Sequence, residues 1–503
     1  MNVEVLQAQQ WVNATYGGVV GYNSCPEDGV AGATTLYSLT RALQHELGIT
    51  ALSDNFGPMT LGALAQRGGV PLTESNQNIV KILQSACACK GYPAGGLSGT
   101  FGQRTRFAVG AMMSDAGVGA LGSGVAPKVM KALLSMDSYV LVAGGNAAVR
   151  SVQQWFNGRY TTRRDFFVLA CDGVVSRTVV QATILAIQFE LGLTDDQATG
   201  VFGPMTRAGL TAHSLSVGAS GVWVSLFSAA MVLGASGSFA ATYTEELVCA
   251  VRRFQEFSAL PVTGQADFAT WAQLLVSTGD ADRPATACDC VTTITPARAQ
   301  ALRTAGYRVV GRYLDQRGTT LDKKIKPGEL QTIFGAGLKV LPISQYDGSE
   351  ASYFTHDQGV RDASDAHTAA AGYGFKAGTV IYFAVDYDAV QDEIDTAIEP
   401  YFRGVIEGLA AKGGRYVHGV YGSRDVCAQV SERTGARWSF VSDMSTGYGG
   451  NMGFPLPANW AFSQIQTLTV GSGDGQIEID KDVQRPGADP GVSSVQTTQG
   501  GSW

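Results

Sequence analysis

The sequence predicts a multidomain chain, with an all-α array of helical repeats in its N-terminal half and an α/β barrel of the (β/α)8 type in its C-terminal part. Three observations carry this reading. The chain has 503 residues, several times the ~100–200 of an ordinary domain. Phrases from residues 1–140 recur in residues 141–279. Beyond residue 287 the helical spacing gives way to strands alternating with helices.

The duplication is direct. "VLQAQQWVNATY" (5–16) returns as "VRSVQQWFNGRY" (149–160), and "EDGVAGATT" (27–35) as "CDGVVSRTV" (171–179). "ALQHELGI" (42–49) returns as "AIQFELGL" (186–193), and "DNFGPMTLGAL" (54–64) as "TGVFGPMTRAGL" (199–210). The offset is 144 through Glu46 and Glu190 and 146 at Phe56 and Phe202, so one loop holds a two-residue insertion. Residues 78–135 match about 221–276 more weakly, which gives units 1–140 and 141–279. Within each unit, pieces of one phrase keep returning: a helix, an Asp-Gly loop, F-G-x-x-T and a helix containing A-x-x-x-F-Q. Gly supplies a positive φ in the loop, and the Thr is expected to cap the next helix. Leu, Phe and Trp at helical spacing fill a small core. Trp11, Trp155, Gln10 and Gln154 read as fold determinants rather than ligand contacts. These motifs resemble peptidoglycan-binding-like modules, which are small three-helix bundles. A glycan-binding array is the implied role, with a spacer or a dimerisation surface as the alternative.

Composition narrows the partners. Hydrophobic residues make up 45% and charged residues 16%, enough for buried cores. The net charge is −7. Residues 1–279 hold 17 acidic against 16 basic groups, and residues 280–503 hold 26 against 20. Neither part carries the basic stripe that phosphate neutralisation needs, so nucleic acid is not an expected partner. The N-terminal MNVEVLQAQQ has neither a basic region nor an apolar run, and no secretory signal peptide is expected. The apolar stretch 222–235 is too short for a bilayer of ~30 Å and reads as a buried helix, so membrane insertion is not expected. Eight cysteines include the C-x-C pairs Cys87/Cys89 and Cys288/Cys290. No second ligand pair stands at zinc spacing, so no metal site is expected. The five histidines form no metal or triad spacing. Ser423, in "VYGSRD", lacks the G-x-S-x-G elbow of a serine hydrolase.

Residues 280–287, "DADRPATA", read as a linker, 288–486 as the barrel and 487–503 as a flexible tail. Strand-like runs fall at 287–291, 308–314, 339–345, 380–386, 416–421, 438–443, 460–466 and 476–483. Helical runs fall at 296–304, 327–334, 358–372, 392–411 and 424–432, with fewer helices among the later strands. Eight strands suit a compact TIM-like (β/α)8 barrel, whose chemistry sits at the C-terminal strand ends. An open doubly wound sheet is the runner-up, without the glycine fingerprint it would carry. Acidic residues gather at those ends: Asp289, Asp386, Asp388, Asp443, Asp480 and Asp482. Same-face residues in a strand stand ~6.6 Å apart, so Asp386 and Asp388 are expected to share one mouth with Asp289 and Asp480. Paired carboxylates are what glycoside hydrolysis needs, one as acid and one to stabilise or attack the oxocarbenium carbon.

"ACDCVTTIT", "YRVVGRYL", "GLKVLPISQYDG", "GTVIYFAVDYDA", "GVYGSRDV" and "GQIEIDKDV" resemble the glycoside-hydrolase-like barrel of actinobacterial and Gram-positive wall proteins, a relative of the Chalaropsis-type lysozymes. The resemblance runs from about 285 to 486. It implies a cofactor-free muramidase acting on peptidoglycan glycan strands, with Asp289, Asp386, Asp388 and Asp480 as catalytic residues and Asp388 as proton donor. Asp388 stands where those lysozymes carry Glu, so its proton lies ~1.5 Å short, and a misplacement of ~1 Å can cost ~10²-fold in rate. A non-catalytic wall-binding protein with a degenerate barrel is the alternative. Arg312, Gln345, Tyr346, Tyr382, Tyr421 and Gln464 are candidate substrate-binding residues around the mouth. The implied workplace is the bacterial cell wall, reached by lysis, a phage holin or a dedicated secretion machine.

Overall fold

The computed structural model describes residues 1–235, 237–316 and 321–496. The chain forms two compact units, Met1–Val201 and a second beginning at Phe202. The second unit holds both the helices of 202–279 and the 280–287 segment read as a linker.

The first unit is helical. It comprises α1 (Val3–Tyr16), α2 (Ala33–Glu46), α3 (Pro58–Gln66), α4 (Gln77–Cys89), α5 (Gln103–Asp115), α6 (Pro127–Leu133), α7 (Ala147–Tyr160) and α8 (Arg177–Glu190). A short antiparallel pair, β1 (Val70–Pro71) and β2 (Gly124–Val125), accompanies them. The duplication is visible in the caps. Asn2 accepts from the backbone of Glu4 and Val5, and Asn146 accepts from Ala148 and Val149.

A buried glutamine organises each repeated loop. Gln9 Oε1 accepts from Gly29 N–H at 2.8 Å, while its amide nitrogen donates to Val30 O and Thr35 Oγ1, both at 3.0 Å. Gln84 does the same with Gly99, Thr100 O and Thr105 Oγ1. Gln153 holds Gly173 and Val174, and Gln188 holds Gly200 and Val201. Gln44 accepts from Ser53 N–H and donates to Thr60 Oγ1. Gly29 has φ 68°, and a Cβ there would lie 3.0 Å from Asn2 O, so the turn requires glycine. Two expectations are corrected. The threonines of the F-G-x-x-T phrases at 60 and 105 lie within α3 and α5 as buried partners of the glutamine, not as caps, because Gly57 and Gly102 occupy the cap positions. The structural glutamines are Gln9 and Gln153, not Gln10 and Gln154. Gln10 is exposed, and Gln154 donates to Asp115 O at 2.9 Å.

The second unit opens with α9 (Pro204–Thr211), α10 (Val222–Gly234), α11 (Glu245–Phe257) and α12 (Phe268–Leu275). Here Gln255 repeats the loop device with Gly264 and Thr270. Helix α10 buries most of its length, and no helix among the described residues is long and apolar enough to cross a membrane. The barrel elements follow: β3 (Ala287–Asp289), α13 (Pro296–Thr304), β4 (Val309–Tyr313), α14 (Glu329–Gly335), β5 (Lys339–Ser344), α15 (His356–Gly372) and β6 (Val380–Ala384). Next come α16 (Gln391–Glu393), a π turn at Ile394–Ile398, α17 (Glu399–Ala411), β7 (Val417–Gly422), α18 (Arg424–Thr434), β8 (Ser439–Val441), β9 (Trp460–Val470) and β10 (Ile477–Gln484).

The eight strands β3–β10 close into a barrel. It is mixed, which corrects the expected (β/α)8 pattern. Strands β3 to β9 pair in parallel, whereas β10 runs antiparallel to both β9 and β3. The reason is connection length. Only residues 471–476 separate β9 from β10, and a parallel return needs a crossover of about a dozen residues or more. Ala287, Val309, Leu341, Ile343, Tyr382, Phe440, Ala461 and Phe462 pack together as the filling of the barrel.

Residues 487–496, read as part of a flexible tail, are held to the barrel. Val492 exchanges two backbone hydrogen bonds with Val340, and Asp489 accepts from Tyr382 Oη at 2.8 Å. Residues 497–503 of that tail lie outside the described residues. The preceding helices are fastened too: Trp460 Nε1 donates to Phe257 O at 3.0 Å, and Arg485 lies over the Phe257 ring.

Candidate active site

Strands β3 and β10 meet in register at Asp289 and Asp480. Both side chains face the barrel interior at the C-terminal end of the parallel strands. Gln464, on β9, joins them: its amide donates to Asp289 Oδ2 at 2.8 Å and to Asp480 Oδ2 at 3.4 Å. Tyr421, at the end of β7, donates to Gln464 Oε1 at 2.9 Å. Thr467 donates to the other oxygen of Asp480. Gly311 on β4 leaves the room: a Cβ there would lie 2.6 Å from Asp289 Cβ.

Asp386 stands just past β6, half-buried, and accepts from Gln345 Nε2 at 3.1 Å. Gln345 in turn accepts from Lys323 Nζ at 3.1 Å, and that ammonium lies 4.3 Å from the centroid of Tyr313. The polar chain thus runs Lys323, Gln345, Asp386, while Gln464 links Tyr421 to Asp289 and Asp480.

Burial dominates the electrostatics. Asp289 is 3% exposed. Desolvation, then the neighbouring Asp480 charge, pushes its carboxyl well above the usual range. Asp480 is also raised, chiefly by burial. Asp482, one same-face step deeper on β10 and opposite Ala287, is fully buried, and among the described residues neither carboxylate oxygen has a hydrogen-bond partner. Desolvation first, then Asp289 and Asp480, drives it up as well. Three carboxyls this close and this dry are not all ionised at neutral pH. Lys323 is lowered to about 8 by burial, with Asp386 opposing. Tyr313 and Tyr421 are raised by desolvation and by the Asp289, Asp386 and Asp480 charges.

Of the residues singled out from sequence, Asp289, Asp386, Asp480, Gln345, Tyr421 and Gln464 come together. Asp388 does not join the hydrogen-bonded cluster. Strand β6 ends at Ala384, so alternation no longer aims its side chain; it is exposed at the rim, and Oδ1 accepts from Gly450 N at 3.4 Å. Tyr448 feels the charges of both Asp386 and Asp388. Arg312 points the other way, into the helix layer, pairing with Glu329 at 2.7 Å and donating to Cys290 O. Tyr346 lies toward Tyr401 of α17, and Tyr382 is buried in the barrel filling on Asp489. Asp443 is locked to Arg424 at 2.6 Å and accepts from Ser463.

Sequence reading missed Tyr313, Lys323 and the depth of Asp482. Tyr313 was available: it shares the face of Val309 and Gly311, whereas Arg312, between Gly311 and Tyr313, takes the opposite face. Lys323 sits in a short basic run, "DKKIK", with no pattern that marks it. Among the described residues, no group of three or more His, Cys, Asp or Glu could hold a metal ion.

Comparison with known proteins gives the kinship. Over 506 residues the chain is 49% identical to an uncharacterized protein, FadG, of Bacillus subtilis strain 168, covering 98% of this chain and 87% of that one. The chain belongs to the FadG/YbfG family. YbfG of the same organism, also uncharacterized, is 43% identical over 98% of this chain and 68% of its own length. Two family models fit this FadG/YbfG chain: a FadG/YbfG PGDB-like domain at residues 142–275, and an Rv2525c-like glycoside hydrolase-like domain at residues 300–484. The second covers most of the barrel, from α13 to β10. Among solved structures, the Tat-secreted protein Rv2525c of Mycobacterium tuberculosis in complex with L-tartrate is 23% identical, with a TM-score of 0.33, covering 40% of this chain and 96% of that one. An uncharacterized Bacillus stearothermophilus protein is 16% identical, with a TM-score of 0.30 over 39% of this chain and 94% of that one.

Proposed function

We propose that this protein is a glycoside hydrolase of the bacterial cell wall that cuts peptidoglycan glycan strands, with cleavage beside N-acetylmuramic acid as the specific reaction. The observation that carries the reading is the meeting of Asp289, Asp480 and Asp386 at one end of a glycoside-hydrolase-like barrel. Hydrolysis of a glycosidic bond needs one carboxyl that keeps its proton near neutral pH and a second carboxylate within reach of the same sugar. In this reading Asp480 delivers the proton to the leaving oxygen. Asp289, level with it on β3, is held by the same Gln464 amide, which donates to both carboxyls. Asp386 supplies the second carboxylate and stabilises or attacks the anomeric carbon. Asp388, the donor implied by the lysozyme resemblance, becomes a rim carboxylate that contacts a sugar further along the strand. Tyr421 and Tyr313 offer ring faces to the glycan. The helical repeats hold the enzyme on the wall, and no cofactor takes part.

The exposed placement of Asp388, together with its shorter side chain, favours one rival reading: a wall-binding protein with a retired barrel. Loss of turbidity of purified cell walls separates the two. The wild type is expected to clear the suspension, Asp480→Asn and Asp386→Asn to be inert while still sedimenting with walls, and Asp388→Asn to retain most activity. A wild type that binds walls and clears none of them establishes the rival. Loss of activity in Asp388→Asn but not in Asp480→Asn returns the proton to Asp388.

A further inference from the structure

Among the described residues, the ammonium joined to this carboxylate cluster is that of Lys323. It stands beyond the end of β4, where Lys324 bridges to Tyr313 and Ile325 N–H donates to Tyr313 O. The residue is 8% exposed. Among the described residues Nζ has a single hydrogen-bond acceptor, Gln345 Oε1, and makes no ion pair with a carboxylate. The Tyr313 ring beneath it is a cation–π partner. An ammonium has three donors, and this one spends one on Gln345. Holding a buried charge with no carboxylate in direct contact is costly; Asp386 offsets part of that cost from the far side of Gln345. With its proton affinity lowered only to about 8, Lys323 still carries its charge at neutral pH.

We propose that Lys323 is a substrate-positioning cation that takes a carboxylate carried on the sugar ring beside the cleaved bond. The inference rests on the glycosidase reading and narrows its substrate. Nζ is two hydrogen bonds from the Asp386 carboxylate, through Gln345. That nearness places the anion on the reacting sugar or its neighbour, not at the far end of a substituent. In peptidoglycan the ring-borne carboxyl is the lactyl group of N-acetylmuramic acid. It is an amide where a peptide stem is attached and a free carboxylate only once the stem has been removed. The preferred substrate is therefore a stem-free glycan strand, the product of an amide-cleaving reaction on the wall. The raised proton affinities of Asp289 and Asp480 lower the negative charge that such an anion meets.

The test is calorimetric titration of the full chain carrying Asp480→Asn, so that the glycan stays whole. Two probes are compared: a tetrasaccharide of alternating N-acetylglucosamine and N-acetylmuramic acid with free lactyl carboxylates, and the same molecule with those carboxylates converted to methylamides. The acid is expected to bind about tenfold or more tightly than the amide, the worth of one charge-assisted hydrogen bond. Adding Lys323→Met abolishes the preference of acid over amide, and Lys323→Arg preserves it. Equal binding of both probes to the parent overturns the role of Lys323 and leaves the glycan reading standing. A preference that survives Lys323→Met also overturns it, by placing the anion elsewhere. Binding of neither probe removes the glycan reading itself.

Discussion

Arg424 Nε lies 2.6 Å from Asp443 Oδ1, and the pair is almost entirely out of water, with side-chain exposures of 7% and 0%. Arg424 also donates to Ser277 O at 2.7 Å and Phe454 O at 2.9 Å, and Ser277 Oγ donates to Asp443 O. One ion pair thus joins the end of the helical segment, the start of α18 and the end of β8. Asp443, an acid at a strand end, is a structural clamp and not part of the mouth.

Removing half of that clamp strands a buried charge. Arg424→Met is expected to destabilise the second unit by about 3–5 kcal/mol, the usual loss when a buried pair is broken on one side. Thermal unfolding of the full chain measures it. A change within error of the wild type contradicts the clamp.

Asp482 makes stability pH-dependent. Its folded-state proton affinity is raised by burial and by Asp289 and Asp480. A carboxyl raised in the folded state contributes fully below its unfolded pKa of ~3.9, and that contribution drains as pH climbs toward the folded value. Asp482→Asn keeps a neutral group of the same shape. It is expected to raise the melting temperature more at about pH 9 than at about pH 5, each tenfold difference in proton affinity being worth about 1.4 kcal/mol. An equal effect at both pH values counts against a buried neutral acid.

The two adjacent glutamines of α7 give a paired test. Gln153 is buried and holds Gly173 N–H and Val174 O, while Gln154 donates to Asp115 O. Gln153→Leu leaves these loop groups unsatisfied and is expected to cost ~1–3 kcal/mol, and Gln154→Leu clearly less. Urea unfolding of the full chain ranks them, and the reverse order refutes the loop device.

Helices α15 and α17 cross at glycines. A Cβ on Gly404 would lie 2.0 Å from His356 O, and one on Gly359 would lie 2.0 Å from Tyr401 O. Gly404→Ala is expected to force the helices apart at a cost of ~1–3 kcal/mol, the range for overpacking. Differential scanning calorimetry reads the loss as a lower melting temperature, and an unchanged one would mean that the crossing is slack.

The amino-acid sequence by itself determined the duplication, because the loop device at Gln9 and Gln153 repeats local chemistry at a fixed offset. It also determined the eight strands and most of the acidic cluster, since hydrophobic runs ending in Asp survive as strand ends in any barrel. Strand direction, side-chain facing and register were decided only by the tertiary structure. The short β9–β10 connection turns the last strand antiparallel and brings Asp480 level with Asp289. A one-residue difference in facing sends Arg312 into the helix layer and Tyr313 into the mouth, a choice that alternation alone leaves open until one neighbour is anchored. The end of β6 at Ala384 releases Asp388 to the rim. Lys323 reaches Asp386 through Gln345, a side chain remote in sequence, and such an approach exists only once the barrel has closed.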